Sequence, residues 1–159
     1  MIKKLHHAAY RCKNSEETRK FYEDFLGLPL VDAFEITKTK TGRKTSVLHS
    51  FYRMEDSSYI AFFEAPNQPF KFINQHDFDL HIALEVSHKT LMYMFKKGQE
   101  AGIETRGISD HGSIDSIYFR DPNGYVVELT AKKSITHDPN NSKQANAHQI
   151  LHEWDTKLR

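Results

Sequence analysis

The chain has 159 residues, a formal net charge of +1 and 27% charged residues. That is enough for a buried core in one ordinary domain or two small fused units, and the charge balance, with no Lys/Arg run, gives no electrostatic reason to expect nucleic acid. Cys12 is the single cysteine, which leaves no internal disulfide framework. No apolar run approaches the roughly 20 residues of a membrane span, and MIKKLHHAAY holds no apolar signal core, so a soluble cytoplasmic protein is expected.

In chain order, Leu5 to Arg11 reads as a strand, and Asn14, with Glu17 three residues on, as a helix N-cap. The helix carries Phe21, Tyr22, Phe25 and Leu26 on one face and stops at Gly27. Leu28 to Ile36, Thr45 to Met54 and Tyr59 to Phe63 read as strands, with a polar hairpin tip over Lys38 to Lys44. After a connection from Asn67 to Asp79 the order repeats. Leu80 to Val86 is a strand, Ser87 an N-cap, Lys89 to Ala101 a helix ended by Gly102, and Ile103 to Arg106 a short strand.

The stretch HGSIDSIYFRDPNGYVVE, His111 to Glu128, then gives two strands around a turn at Asp121-Pro122-Asn123-Gly124. Pro122 presets φ, Asp121 caps the turn, and Gly124 tolerates positive φ. Beyond Lys133, Thr136 to Lys143 reads as a loop and Ala147 to Leu158 as a helix with Ile150, Leu151 and Trp154 on one face. This helix is expected to pack on the body or on a partner subunit, since a bare apolar stripe with a tryptophan is costly.

His7 and His81 stand 74 positions apart, as do Phe21 and Phe95, and Gly27 and Gly102 stand 75 apart. The pattern is a diverged tandem repeat. It divides the chain into a module over 1–66, a linker over 67–79, a second module over 80–133 and a tail over 134–159. The fold class expected is α+β: tandem βαβββ modules forming a curved mixed sheet, plus a C-terminal helix.

Each module offers a histidine on its first strand and a glutamate on its last: His7 and Glu64, then His81 and Glu128. Strand alternation puts His7 with Ala9 and Arg11, His81 with Ala83 and Glu85, and Glu128 with Val126 and Thr130. If the two sheets face each other, the four side chains converge in one cavity. Glu128 lies among Val126, Val127 and Leu129, where an unpaired carboxylate is expensive. Two imidazoles with one or two carboxylates suit Fe(II), Mn(II), Zn(II), Ni(II) or Co(II). His49, His76, His88, His137, His148 and His152 have no matching partner in the repeat and are read as structural. Phe62 and Phe119, with Phe70, Phe72 and Phe78, are candidates either for an apolar pocket or for the core.

From Ile2 to about Lys133 the sequence resembles the vicinal oxygen chelate superfamily of glyoxalases, extradiol dioxygenases and bleomycin or fosfomycin resistance proteins. The resemblance rests on LHHAAYRCKNSEETRKFYEDFLGLPLV, DLHIALEV and SIYFRDPNGYVVELT. It implies two βαβββ modules around a divalent metal, and it selects His7 over His6, because the ligand histidine stands seven residues before the Asn14 position.

The last stretch looks most like the extradiol dioxygenases, in His111, Ile117-Tyr118, Asp121-Pro122, Gly124 and Glu128; Ser109 departs from their pattern. That resemblance implies Fe(II) on His7, His81 and Glu128, a catecholic aromatic substrate and O2. Tyr118 would hydrogen-bond the substrate and His111 would act as acid–base or gate. Glu64 points elsewhere, toward a glyoxalase I-like lyase or isomerase with a His-Glu-His-Glu site. A non-enzymatic drug-binding protein is the third reading, and a homodimer is expected in the family.

Overall fold

The computed structural model describes residues 1–133 and 140–158. Its elements run β1 (His7–Cys12), α1 (Ser15–Arg19, continued by a π-helical stretch Lys20–Phe25), β2 (Leu30–Lys38), β3 (Lys44–Arg53), β4 (Tyr59–Glu64), β5 (His81–Glu85), α2 (His88–Glu100), β6 (Thr105–Asp110), β7 (Ile114–Arg120), β8 (Val126–Lys132) and α3 (Asn140–Leu158). The expected βαβββ order occurs twice. The loop expected over Thr136 to Lys143 lies outside the described residues as far as residue 139, and its remainder belongs to α3.

Local chemistry sets many of these boundaries. Asn14 Oδ1 accepts the Glu17 N–H at 2.9 Å, and Ser87 Oγ accepts the Thr90 N–H at 3.1 Å, so each of the first two helices opens on a side-chain cap. Gly27 and Gly102 follow those helices at φ +85° and +67°, left-handed conformations that glycine adopts without Cβ strain. The first helix does not stay α-helical. The Leu26 N–H reaches the Phe21 carbonyl, five residues back, at 2.9 Å, and Phe21, Tyr22 and Phe25 all turn inward.

Each module is a four-stranded mixed sheet, ordered β1-β4-β3-β2 in the first and β5-β8-β7-β6 in the second. The β1–β4 and β5–β8 pairs are parallel and the others antiparallel. The helix-covered faces of both sheets meet in one core. Tyr22, Phe25, Tyr52, Ile60 and Phe62 from the first module pack in the same cluster as Leu91, Met94, Ile117, Phe119 and Val127 from the second. Phe25 and Phe119 join them edge to face at 5.2 Å.

Phe62 and Phe119 are therefore core, not pocket lining, while Phe72 and Phe78 of the connection are exposed. The opposite sheet faces, which carry His7, Ala9, His81, Ala83 and Glu85, point away from this shared core and are exposed. The sheets of one chain thus turn their helix sides, rather than their histidine sides, toward each other.

The Asp121–Gly124 turn is the staple between modules. Asp121 is 2% exposed, and its Oδ1 accepts the N–H groups of Asn123 and Tyr125, both at 2.8 Å. Its Oδ2 accepts Tyr22 O–H at 3.1 Å from the first module. Burial pushes the Asp121 carboxyl above its ordinary pKa, and these hydrogen bonds pull it back. Asn123 Oδ1 accepts the Lys13 N–H at 2.9 Å, and its amide donates to Thr18 Oγ1 at 3.2 Å.

The connection between β4 and β5 straps over this turn, with the Ile73 N–H on the Asn123 carbonyl at 2.8 Å. Gly124 sits under it at φ +97°, where an added Cβ would overlap the Ile73 backbone. Gly124→Ala is expected to cost about 1–3 kcal/mol from backbone strain, with more from displacing the strap. The check is a urea melt, in which an unchanged midpoint would refute this account of the turn.

α3 is helical as expected, and Ile150, Leu151 and Trp154 are exposed on it. No helix among the described residues is long and apolar enough to cross a membrane.

Candidate metal centre

Strand pairing decides which expected site residues share a face. In the second module Ala83 lies opposite Glu128, Glu128 opposite Tyr118, and Tyr118 opposite Arg106, in one row across four strands. His81 is two residues from Ala83 on the same face. Its Nε2 stands 3.0 Å from Glu128 Oε2, and the glutamate side chain is only 7% exposed.

His81 Nδ1 is 2.7 Å from the Asp77 carbonyl oxygen. A carbonyl only accepts, so Nδ1 carries a proton, and Nε2 is the ring nitrogen that faces the carboxylate oxygen. A proton on Nε2 would join the two as a hydrogen-bonded pair, and a divalent metal could take that proton's place. This donor set fits a divalent metal, with one imidazole nitrogen and one carboxylate oxygen oriented before it arrives.

Tyr118 and His111 are also brought together, with His111 Nε2 3.0 Å from Tyr118 Oη. Burial first, and the neighbouring Glu128 second, raise the Tyr118 phenol above its ordinary pKa, so at neutral pH it is a protonated donor. His111 occupies the tight β6–β7 turn. Its N–H is on the Ile114 carbonyl at 3.0 Å, and the Gly112 N–H is on Asp110 Oδ1 at 2.7 Å.

His7 lies on the outward face of the first module. Its Nδ1 is 2.8 Å from His6 Nδ1, and its ring packs edge to face on Phe51 at 5.8 Å. His6 thereby orients His7, which leaves Nε2 of His7 as the candidate donor. Beside them a hollow of about 530 Å³ is lined by Val31, Asp32, Phe34, Phe51, Arg53 and Tyr59. A larger one of about 750 Å³, lined in part by Leu26, Leu28, Met54, Ile82 and Met94, holds none of the expected ligands.

Glu64 is a correction. It pairs with Cys12 in the parallel β1–β4 ladder, so it shares the helix-side face with Cys12 and not the face of His7, Ala9 and Arg11. Its Oε2 accepts the Ser15 N–H at 2.7 Å, at the start of α1, where the helix dipole favours a carboxylate. The first-module position that matches Glu128 by register is Ala61, which lies opposite Ala9 as Glu128 lies opposite Ala83. The four expected ligands do not converge, and among the described residues no three His, Cys, Asp or Glu side chains of the chain come close enough to hold a metal.

Two residues of the site were not anticipated: Asp77, which holds His81, and Arg106, which holds Asp77. Asp77 lies in a connection with no period to read. Arg106 was legible only as the end of a short strand.

A family model described as the Glyoxalase/Bleomycin resistance protein/Dioxygenase superfamily matches residues 4–129. Solved structures share the fold. A glyoxalase/bleomycin resistance protein/dioxygenase domain from Frankia sp. EAN1pec has a TM-score of 0.65 at 14% identity, over 84% of this chain and all of that one (100%). The fosfomycin resistance protein FosX from Mesorhizobium loti has a TM-score of 0.61 at 18% identity, over 84% and 95%. FosX from Listeria monocytogenes, solved with Mn(II) and sulfate, has a TM-score of 0.58 at 19% identity, over 84% and 96%. No curated protein sequence matches the chain. The family match takes in both βαβββ modules and the His81–Glu128 pair, and the chain belongs to the glyoxalase/bleomycin resistance protein/dioxygenase superfamily.

Proposed function

We propose that the chain is an Fe(II)-dependent enzyme that opens a catecholic ring beside its diol, with a site built from two copies. The observation that carries the metal is the 3.0 Å approach of His81 Nε2 to Glu128 Oε2 while Nδ1 is committed to Asp77. The third ligand is His7 of a second copy. In support, His7 is exposed on the outward face of its module, and the outward faces and connections also expose Val31, Phe34, Phe78, Leu80 and Ile108. With Glu64 bound at the start of α1, two histidines and one carboxylate remain, an arrangement that suits non-haem Fe(II).

A metal held by His81, Glu128 and His7 of the second copy would supply Lewis-acid chemistry, making a diol hydroxyl more acidic. The chain's own residues do the rest. Tyr118 donates its O–H to a substrate oxygen. His111, 3.0 Å from that phenol, holds or relays the proton. The aromatic residues around His7 on the facing module, Phe34, Phe51 and Tyr59, offer ring faces and edges against which a substrate ring can pack.

A second reading, a Mn(II) lyase or isomerase, draws support from the likeness to FosX solved with Mn(II). Oxygen uptake separates the two. Protein loaded anaerobically with Fe(II) and given substituted catechols is expected to consume O2 and form a ring-opened product, and His81→Ala is expected to abolish both. Bound Fe(II) with no uptake across the panel would sink ring cleavage for those substrates and favour the second reading.

A further inference from the structure

We propose that Arg106, acting through Asp77, is the positioning residue that fixes the tautomer and direction of the His81 ring. The inference rests on His81 being a metal ligand.

Asp77 lies in the connection before β5, where no strand ladder holds the backbone. A loop carbonyl left to itself would sample several directions, and His81 would lose its fixed partner. Arg106 removes that freedom. Its Nη1 donates to Asp77 Oδ2 at 2.6 Å and its Nη2 to Asp77 Oδ1 at 2.7 Å, a planar fork that sets orientation as well as distance. A turn supports it, with the Asp79 N–H on the His76 carbonyl at 3.0 Å.

Arg106 is itself placed by the sheet. It lies opposite Tyr118 in the β6–β7 ladder, and its guanidinium carbon is 5.4 Å from the centre of the Tyr118 ring. One side chain thus ties the connection to the row that carries Tyr118 and Glu128, and His81 is aimed at Glu128 from a fixed carbonyl. Its Nε also lies 3.5 Å from Glu104 Oε1.

The first module lacks this device. The position opposite Phe51 that matches Arg106 is Asp32, and His7 is oriented instead by His6. An ordinary surface ion pair would contribute little to anything measurable. The distinguishing feature is that the carboxylate and the carbonyl belong to the same residue, so the ion pair sets the direction of the acceptor for His81.

The test uses full-length wild type, Arg106→Ala, Arg106→Lys and Asp77→Asn, with Lys96→Ala as a surface control from the exposed Lys96–Glu100 pair. Nitrogen-15 NMR of the metal-free protein reads the His81 tautomer, and Mn(II) titration by electron paramagnetic resonance reads affinity. In wild type and in Lys96→Ala, Nδ1 is expected to carry a proton in every molecule, whether or not Nε2 carries one. In Arg106→Ala a mixture of tautomers is expected, with Mn(II) affinity about 10–100-fold weaker, the range for losing a partner that orients a ligand. Arg106→Lys, which keeps the charge but not the fork, and Asp77→Asn are expected to fall between; they serve if Arg106→Ala does not fold.

Nδ1 fully protonated in these variants, or partly unprotonated in wild type, overturns the proposal. Failure of wild type to bind Mn(II) would count against the metal reading, while the metal-free spectra still decide the positioning role.

Discussion

Mixing His7→Ala chains with Glu128→Ala chains is expected to restore metal binding and turnover that neither variant has alone. Each substitution removes a proposed ligand. It should weaken metal binding by more than the roughly 10–100-fold that loss of an orienting partner costs. If the site is shared between copies related by a two-fold axis, a mixed dimer has one site with both defects and one with none. Random exchange then makes about a quarter of all sites intact.

The physical basis is the direction of the two sheets. Their helix sides share one core, so the faces of His7 and His81 look away from it and are exposed. Mn(II) stoichiometry and oxygen uptake before and after subunit exchange make the measurement. Proven exchange with no recovery would show that no second chain completes the site.

Phe119→Ala is expected to cost about 3–5 kcal/mol, the range for removing a large buried aromatic ring. That is a large share of the roughly 5–15 kcal/mol by which domains are stable. Phe119 is 1% exposed and packs edge to face on Phe25 of the other module. Gly98 of α2 lies so close that even a methyl group there would meet the Phe119 ring.

Because the modules share this core, denaturant unfolding of wild type should be a single transition, with the Phe119→Ala midpoint lowered throughout. Two transitions, with only the second module affected, would disprove the shared core. Tyr118→Phe is the contrast. Its ring faces the other side of β7, and its removed hydroxyl lies beside His111 rather than in the core, so the midpoint should hardly move.

Much of the fold was legible from local chemistry. Asn14, Ser87, Gly27 and Gly102 mark helix ends because caps and left-handed carbons act within a few residues of themselves. The 74-residue spacing of His7 and His81 predicted equivalent places, and the structure puts both at the start of the first strand of a module. Alternation put His81 with Ala83 and Glu128 with Val126, and the β5–β8 register put the two sets on one face.

The same rule gave no guidance for Glu64. Its strand, Tyr59-Ile60-Ala61-Phe62-Phe63-Glu64, is apolar on both faces, so period alone could not say which face was buried. Pairing of Glu64 with Cys12, and the waiting N–H of Ser15, decided it.

By itself, then, the sequence determined the two βαβββ modules and the turn at Asp121-Pro122-Asn123-Gly124, since caps, periodicity and turn residues act on neighbours close along the chain. Only the tertiary structure decided that Glu64 serves a helix end, that the modules join through their helix sides, and that Arg106 reaches Asp77 across 29 residues to hold His81. Those outcomes depend on strand register and on which apolar faces find each other. Long-range pairing sets both, and no local pattern encodes it.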